Sequence, residues 1–118
     1  MIKILFICLG NICRSPMAEF IMKDLVKKAG LEQEFMIDSR ATSTEETGNP
    51  IHRGTMGIFK KYQIPCTGHR AQQMSRQDYE TYDYLIGMDQ SNIRNMTRIA
   101  GGDPEKKIYK LMEFTGSG

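Results

Sequence analysis

The chain reads as a three-layer α/β domain with helices on both faces of a mainly parallel sheet, and three observations point there. Its first apolar run, IKILFIC from Ile2 to Cys8, is short, β-branched and nearly uninterrupted, the pattern of a strand buried on both faces. Apolar spacing then switches to three and four residues across Ala18, Ile21, Met22, Leu25 and Val26. Strand-like and helix-like runs go on alternating along the chain, with no internal repeat. A length of 118 residues suits one domain, 1–118, around a single core.

The first strand hands directly to a helix that begins at Ser15 and is stopped by Gly30. Phe35 to Ser39 (FMIDS) is the second strand, reached by a linker whose length suits a right-handed crossover. Arg40 to Asn49 (RATSTEETGN) is polar and turn-rich, a long loop of the kind that often carries function in a small domain. An amphipathic helix is expected from about Pro50 to Tyr62, with Met56, Ile58 and Phe59 toward the core. After Ile64-Pro65 an irregular stretch runs to Met74. A short helix opened by Ser75 follows, then a strand at Tyr84 to Met88, a helix near Ser91 to Ile99 and a strand at Lys107 to Met112.

The formal charge is +2 with both signs interspersed, which excludes the basic stripe that nucleic-acid or membrane-surface binding needs. Three cysteines, Cys8, Cys13 and Cys66, show no metal-ligand spacing, so neither a metal nor another cofactor is expected. Their odd number fits a reducing compartment, and the cytoplasm is the expected location. Gly10, Asn11 and Arg14 interrupt the first apolar run too early for a signal peptide, and no apolar stretch approaches membrane-spanning length.

In parallel sheets ligands bind beyond the carboxyl ends of the strands, where the first strand here turns into a helix through Leu9 to Cys13. The N–H groups of so tight a loop, Leu9, Gly10, Asn11, Ile12 and Cys13, converge with those of the helix's first turn on one spot. The helix dipole adds positive potential there. Five residues separate Cys8 from Arg14. A loop of that length wraps one phosphate: amides take its oxygens, Arg14 grips two of them, and Cys8 lies beneath phosphorus as a nucleophile. The helix N-terminus, Arg14 and a hydrogen bond from the Ser15 hydroxyl all favour the thiolate. Asn11 tolerates the left-handed backbone that turns amides inward. A buried structural cysteine beside a surface arginine is the plainer alternative, but a cation at a helix N-terminus is unfavourable unless an anion accompanies it.

The segment CLGNICRSPMAE, Cys8 to Glu19, resembles the signature of the low-molecular-weight protein tyrosine phosphatases. The similarity continues in Ile37-Asp38-Ser39, Gly68-His69-Arg70-Ala71, Tyr82-Asp83-Tyr84 and Met88-Asp89-Gln90-Ser91-Asn92. The resemblance implies a four-stranded parallel sheet in the order 2-1-3-4, with the phosphate loop between strand 1 and helix 1. It implies Cys8 as the nucleophile that forms a phosphocysteine, Arg14 as the phosphate clamp, and a network of Asn11, Ser15, Ser39 and His69 that shapes the loop. It also implies a phosphotyrosine protein or small aryl phosphate as substrate and inorganic phosphate as product. Cys13 matches a family cysteine, which suggests a reversible disulfide with Cys8; spacing alone leaves equally open that Cys13 contributes only its amide.

Leu9 and Ile12 are expected to flank the pocket mouth with side chains suited to an aryl group. Many family members put an aromatic in the long loop about where Glu45 falls here; Glu45 and Glu46 either bias substrates toward basic surroundings or form a solvated loop. Asp89 is read as the N-cap of the following helix, with a place beside the phosphate loop as the alternative. Cys66 is read as a structural or surface thiol. The family's general acid sits in an Asp-Pro loop after the fourth strand, followed by a final helix, and residues 1–118 are expected to lack both. Asp103-Pro104 precedes the last strand and is expected at the opposite end of the sheet, as a turn. Two rival functions remain. One is an arsenate reductase on the same loop, disfavoured by Pro16 where those enzymes typically carry Gln; the other is an acid-deficient binder of phosphate or phosphotyrosine.

Overall fold

The computed structural model describes residues 1–66 and 68–114. Thr115 to Gly118, where the family's Asp-Pro loop would begin, lies outside the described residues. The elements run β1 (Ile2–Cys8), α1 (Arg14–Lys28), β2 (Phe35–Ala41), α2 (Arg53–Lys61), α3 (Arg76–Thr81), β3 (Tyr84–Gly87), α4 (Gln90–Ala100) and β4 (Ile108–Lys110), with short 3-10 turns at Glu32–Glu34 and Leu111–Phe114. The sheet is four-stranded and parallel throughout, in the order β2-β1-β3-β4, as the resemblance implies.

Alternation along β1 divides the core. Leu5 and Ile7 face Met74, Tyr79, Tyr82, Leu85, Met96 and Ala100 under α3 and α4. Ile4 and Phe6 face Ile37 and Ile86 under Ala18, Met22 and Val26 of α1. A third cluster of Phe20, Ile51 and Phe59 fastens α2 to the side of α1, with the two phenyl rings edge-to-face at 5.9 Å between centroids. On the α4 side Gly87 admits a close approach: a Cβ built there lies 2.8 Å from Met96 Sδ and 3.1 Å from Asn92 Cβ.

Element boundaries shift where pairing or caps decide them. β2 runs past Ser39 to Ala41 because Arg40 and Ala41 still pair with Ile7 and Cys8. β4 is shorter than Lys107 to Met112, since β3 offers partners only to Ile108, Tyr109 and Lys110. α2 starts later than Pro50: the backbone of His52 is extended, and its ring Nδ1 accepts from Gly54 N at 3.1 Å as an N-cap.

On α1 the inward stripe is Ser15, Ala18, Glu19, Met22 and Val26, one helical face whose apolar members pack on the sheet, while Ile21 and Leu25, 37% and 61% exposed, fall to one side of it. One expected core face is corrected. On α2, Phe59 is buried but Met56 and Ile58 are each 42% exposed. This helix of 9 residues packs along one narrow stripe, Thr55 and Phe59, four residues apart.

Candidate active site

β1 ends on Cys8 and α1 begins at Arg14, so Leu9–Cys13 lies at the carboxyl edge of the central strand. The loop turns on Asn11, whose φ of 59° is left-handed as expected. Its side chain is wholly buried. Nδ2 donates to Ser15 Oγ (2.9 Å) and to Ser39 Oγ (2.8 Å), Oδ1 accepts from Gln72 N (3.1 Å), and its carbonyl oxygen lies 2.8 Å from His69 Nε2. Ser15, Ser39 and His69 therefore meet on Asn11, the grouping that the resemblance implies.

The Cys8 thiol is 4% exposed and faces converging donors. Its Sγ accepts from Asn11 N (3.3 Å) and Ser15 N (3.4 Å) and lies 3.1 Å from Ser15 Oγ. Because Ser15 Oγ accepts from Asn11 Nδ2, its own proton is free to point at Cys8 Sγ or at Arg40 O, 3.4 Å away. The N–H groups of Gly10, Ile12, Cys13 and Arg14 donate to no acceptor among the described residues. α1 has neither a side-chain cap nor an acidic residue in its first turn. A helix N-terminus left in this state holds orphan donors and positive potential beside the thiol.

The long polar loop braces this cradle from outside. Thr42 N donates to Cys8 O (3.0 Å), Ser43 N to Leu9 O (3.1 Å) and His52 N to Ile12 O (2.7 Å). Loop carbonyls are thereby tied down, which leaves the amides to face inward.

Arg14 extends from the first turn of α1, half exposed, and donates through Nη1 to Asp89 Oδ2 at 3.1 Å. Asp89 is also the N-cap of α4, its Oδ1 accepting from Asn92 N at 2.9 Å. Both readings of Asp89 are thus satisfied, one by each oxygen. The Asn92 N–H and then the Arg14 guanidinium hold the Asp89 carboxyl below the usual carboxylate range, against an opposing contribution from burial.

Sequence reasoning missed Glu19. It is 4% exposed, its Oε1 accepts from Ser39 Oγ at 2.5 Å, its Oε2 accepts from Lys23 Nζ at 2.6 Å, and Oε1 lies 3.9 Å from His69 Nδ1. The available signal was its spacing: Glu19 is one helical turn from Ser15 and so shares its inward face.

Around the rim, Leu9 is 54% exposed, and the Glu46 side-chain stem lies 3.3 Å from a Cβ built on Gly10. The Glu46 carboxylate accepts from Asn49 Nδ2 at 2.7 Å, while Glu45 is exposed. Cys13 is exposed with a free thiol that accepts from Thr55 Oγ1 at 3.1 Å. Cys66 packs against the Phe20–Phe59 cluster, its Sγ 3.6 Å from Met56 Sδ, and burial pushes its thiol pKa up. Asp103 sits at the amino end of β4, held by Tyr79 Oη–H (2.7 Å) and Lys107 N (2.8 Å). Two cavities, of about 350 Å³ between α1 and β2 and about 230 Å³ beside His69 and Arg70, include none of Leu9 to Cys13 in their walls. Among the described residues no cluster of His, Cys, Asp and Glu is arranged to hold a metal.

Fold and site together define a parallel α/β protein whose central strand ends in a tight loop of inward-facing amides around a buried thiol. Residues 3–118 match the family model described as low molecular weight phosphotyrosine protein phosphatase, and the chain belongs to that family. It is 44% identical over 114 residues to the low molecular weight protein-tyrosine-phosphatase YfkJ of Bacillus subtilis, covering 97% of this chain and 73% of that one. It is 42% identical over 118 residues to the low molecular weight phosphotyrosine protein phosphatase of Schizosaccharomyces pombe, covering 99% and 75%. The crystal structure of YfkJ superposes with a TM-score of 0.96 at 42% identity, over 100% of this chain and 74% of that one. That of SP-PTP from Streptococcus pyogenes gives 0.86 at 47% identity, over 97% and 74%.

Proposed function

We propose that the chain hydrolyses phosphotyrosine and other aryl phosphate monoesters through a phosphocysteine on Cys8. The observation that carries this reading is the ring of amides without acceptors among the described residues, around a thiol that itself accepts from Asn11 N and Ser15 N. The amides and the free edge of Arg14 take the three non-bridging oxygens of the phosphoryl group, whose charge is spread over them in the transition state. The Cys8 thiolate forms the S–P bond as the P–O bond to the aryl group breaks. Water then attacks phosphorus, releases inorganic phosphate and restores the thiolate.

The departing phenolate takes a proton from a general acid or from solvent. Asp89 is not that acid: the Asn92 amide and Arg14 favour its ionised form, so it is a poor proton donor. Asp103 is not either, lying at the amino end of the sheet. Leu9 and Ile12 flank an aryl leaving group at the mouth, and Glu46 beside Gly10 lends the rim an acidic residue.

Cys13 protects Cys8 in the same reading: peroxide oxidises Cys8 to the sulfenic acid, and the Cys13 thiol displaces water from it to close a disulfide. A free Cys13 beside an oxidised Cys8 after mild peroxide, read by mass spectrometry, would overturn that step. The three free thiols suit a reducing compartment, and no helix among the described residues is long and apolar enough to cross a membrane, in keeping with a cytoplasmic enzyme.

The deciding experiment is Cys8→Ser. Hydrolysis of an aryl phosphate is expected to vanish while inorganic phosphate still binds, because the cradle is untouched. Retained turnover would remove Cys8 as the nucleophile.

A further inference from the structure

We propose that Asn92, acting through Asp89, positions the guanidinium of Arg14, so that the first turn of α4 is the mount that aims the phosphate clamp. The inference rests on Arg14 being that clamp. Asp89 divides its oxygens: Oδ1 is fixed by Asn92 N at 2.9 Å, and Oδ2 holds Arg14 Nη1 at 3.1 Å. Asn92 in turn fixes the backbone that carries Asp89. Its Oδ1 accepts from both Met88 N and Asp89 N, at 3.1 Å each, and the residue is 2% exposed. The chain of contacts is anchored in the core, for Asn92 Cβ stands against the bare Cα of Gly87 at the end of β3.

The geometry at the other end suits a phosphate. A guanidinium offers five donors in a planar fork, and the match to two phosphate oxygens uses one edge of it. Asp89 engages Nη1 alone, leaving Nε and Nη2 without acceptors among the described residues. A long arginine side chain otherwise samples many rotamers, and an anion that binds it must stop that motion; a guanidinium already held at one corner reduces this cost. The negative charge of Asp89 works against the phosphate. Both side chains are about half exposed, so water and salt screen that repulsion, whereas the orientation is unaffected by screening.

Inorganic phosphate binding, measured by calorimetry, separates this role from a structural one. Asp89→Ser keeps an N-cap for α4 but cannot reach Arg14. It is expected to weaken phosphate binding about tenfold in the parent chain, the scale of one charge-assisted hydrogen bond, and by less than about twofold in an Arg14→Ala background. Asn92→Ala is expected to weaken phosphate binding in the same direction, with recovery in Asn92→Asp, which keeps an acceptor for Met88 N and Asp89 N. Equal losses from Asp89→Ser in both backgrounds would assign it a structural role and overturn the mount. Undiminished phosphate binding by Asp89→Ser, or by a folded Asn92→Ala, would overturn it as well. If Arg14→Ala itself binds phosphate as tightly as the parent, the clamp fails, and that result is distinct from a loss in Arg14→Ala with none in Asp89→Ser.

Discussion

Asn11 serves the site as backbone and as side chain at once. Its left-handed φ turns the loop amides inward, and its carboxamide satisfies Ser15, Ser39 and Gln72. Asn11→Ala loses both functions. A non-glycine residue in that conformation costs about 1 kcal/mol, and each buried partner left unsatisfied costs about 1–3 kcal/mol more. Turnover is expected to fall by about a hundredfold, the effect of displacing reacting groups by about 1 Å, together with a lower melting temperature. His69→Ala tests the same geometry more gently, since it removes the contact to Asn11 O, a neighbour of Glu19 and an edge-to-face contact with Phe20 but leaves the Asn11 carboxamide in place. A drop in kcat of about tenfold in a protein with unchanged circular dichroism is expected, and normal kcat would take His69 out of the network. Cys8, Arg14, Asn11, Ser15, Ser39 and His69 were legible as residues. Glu19 was not, because its partner Ser39 and its neighbour His69 come from segments distant in sequence.

At the scale of elements, α4 is held against the sheet by a missing side chain and by a charged cap. Gly87→Ala places a Cβ 2.8 Å from Met96 Sδ, 3.0 Å from Ile93 Cδ1 and 3.1 Å from Asn92 Cβ, so the two long side chains must reorient and Asn92 at the start of α4 must give by a few tenths of an ångström. A loss of about 1–3 kcal/mol in urea denaturation is expected, with weakened phosphate binding because Asp89 travels with α4. The Asp89 cap also has a pH signature. Its folded-state pKa is depressed, so its contribution is fully present above the unfolded value of about 3.9 and is lost as pH falls through the folded value. The gap in stability between the parent and Asp89→Asn should therefore be constant from pH 7 to about pH 5 and close in more acidic solution, as followed by urea midpoints. The sequence pattern located each labelled helix and strand but set Met56 and Ile58 of α2 in the core beside Phe59, which alone of the three is buried. On α1 the apolar residues Ala18, Met22 and Val26 share their inward side with Ser15 and Glu19.

For the whole molecule, two long-range links join β2 to the α3–α4 layer: Tyr82 Oη–H donates to Asp38 Oδ2 at 2.6 Å, and Arg40 Nε lies 3.6 Å from Asp78 Oδ2. Burial, then the hydrogen bond to Asp38, push the Tyr82 phenol well above its ordinary pKa. A raised folded-state value means that this stability is present below the unfolded pKa of about 10 and is lost as pH rises beyond it. Tyr82→Phe is expected to cost about 1.5–3 kcal/mol at neutral pH and to flatten the alkaline limb of the stability profile; an unchanged limb would show that Tyr82 does not govern it. Catalysis by the 118-residue chain supplies a second measurement. A phenol, with a pKa of about 10, leaves far more readily than an alkanol, whose pKa lies well above it, so catalysis that draws no proton from residues 1–118 should act on aryl phosphates with little turnover of alkyl ones. Similar rates on both would require a proton donor within residues 1–118.

The sequence by itself determined the strand–loop–helix unit around Cys8 and Arg14, because spacing, period and backbone tolerance are local properties and the loop's chemistry is written in consecutive residues. Its resemblance to the family extended that reading to the strand order and to Ser39 and His69. Only the tertiary structure decided that Glu19 lies beneath Ser39, that Thr42, Ser43 and His52 brace the loop from outside, and that Asp89, fixed by Asn92 on α4, pairs with Arg14. Each of these contacts joins segments that meet only when the sheet has closed, and hydrogen-bond partners across such a distance leave no periodic trace along the chain.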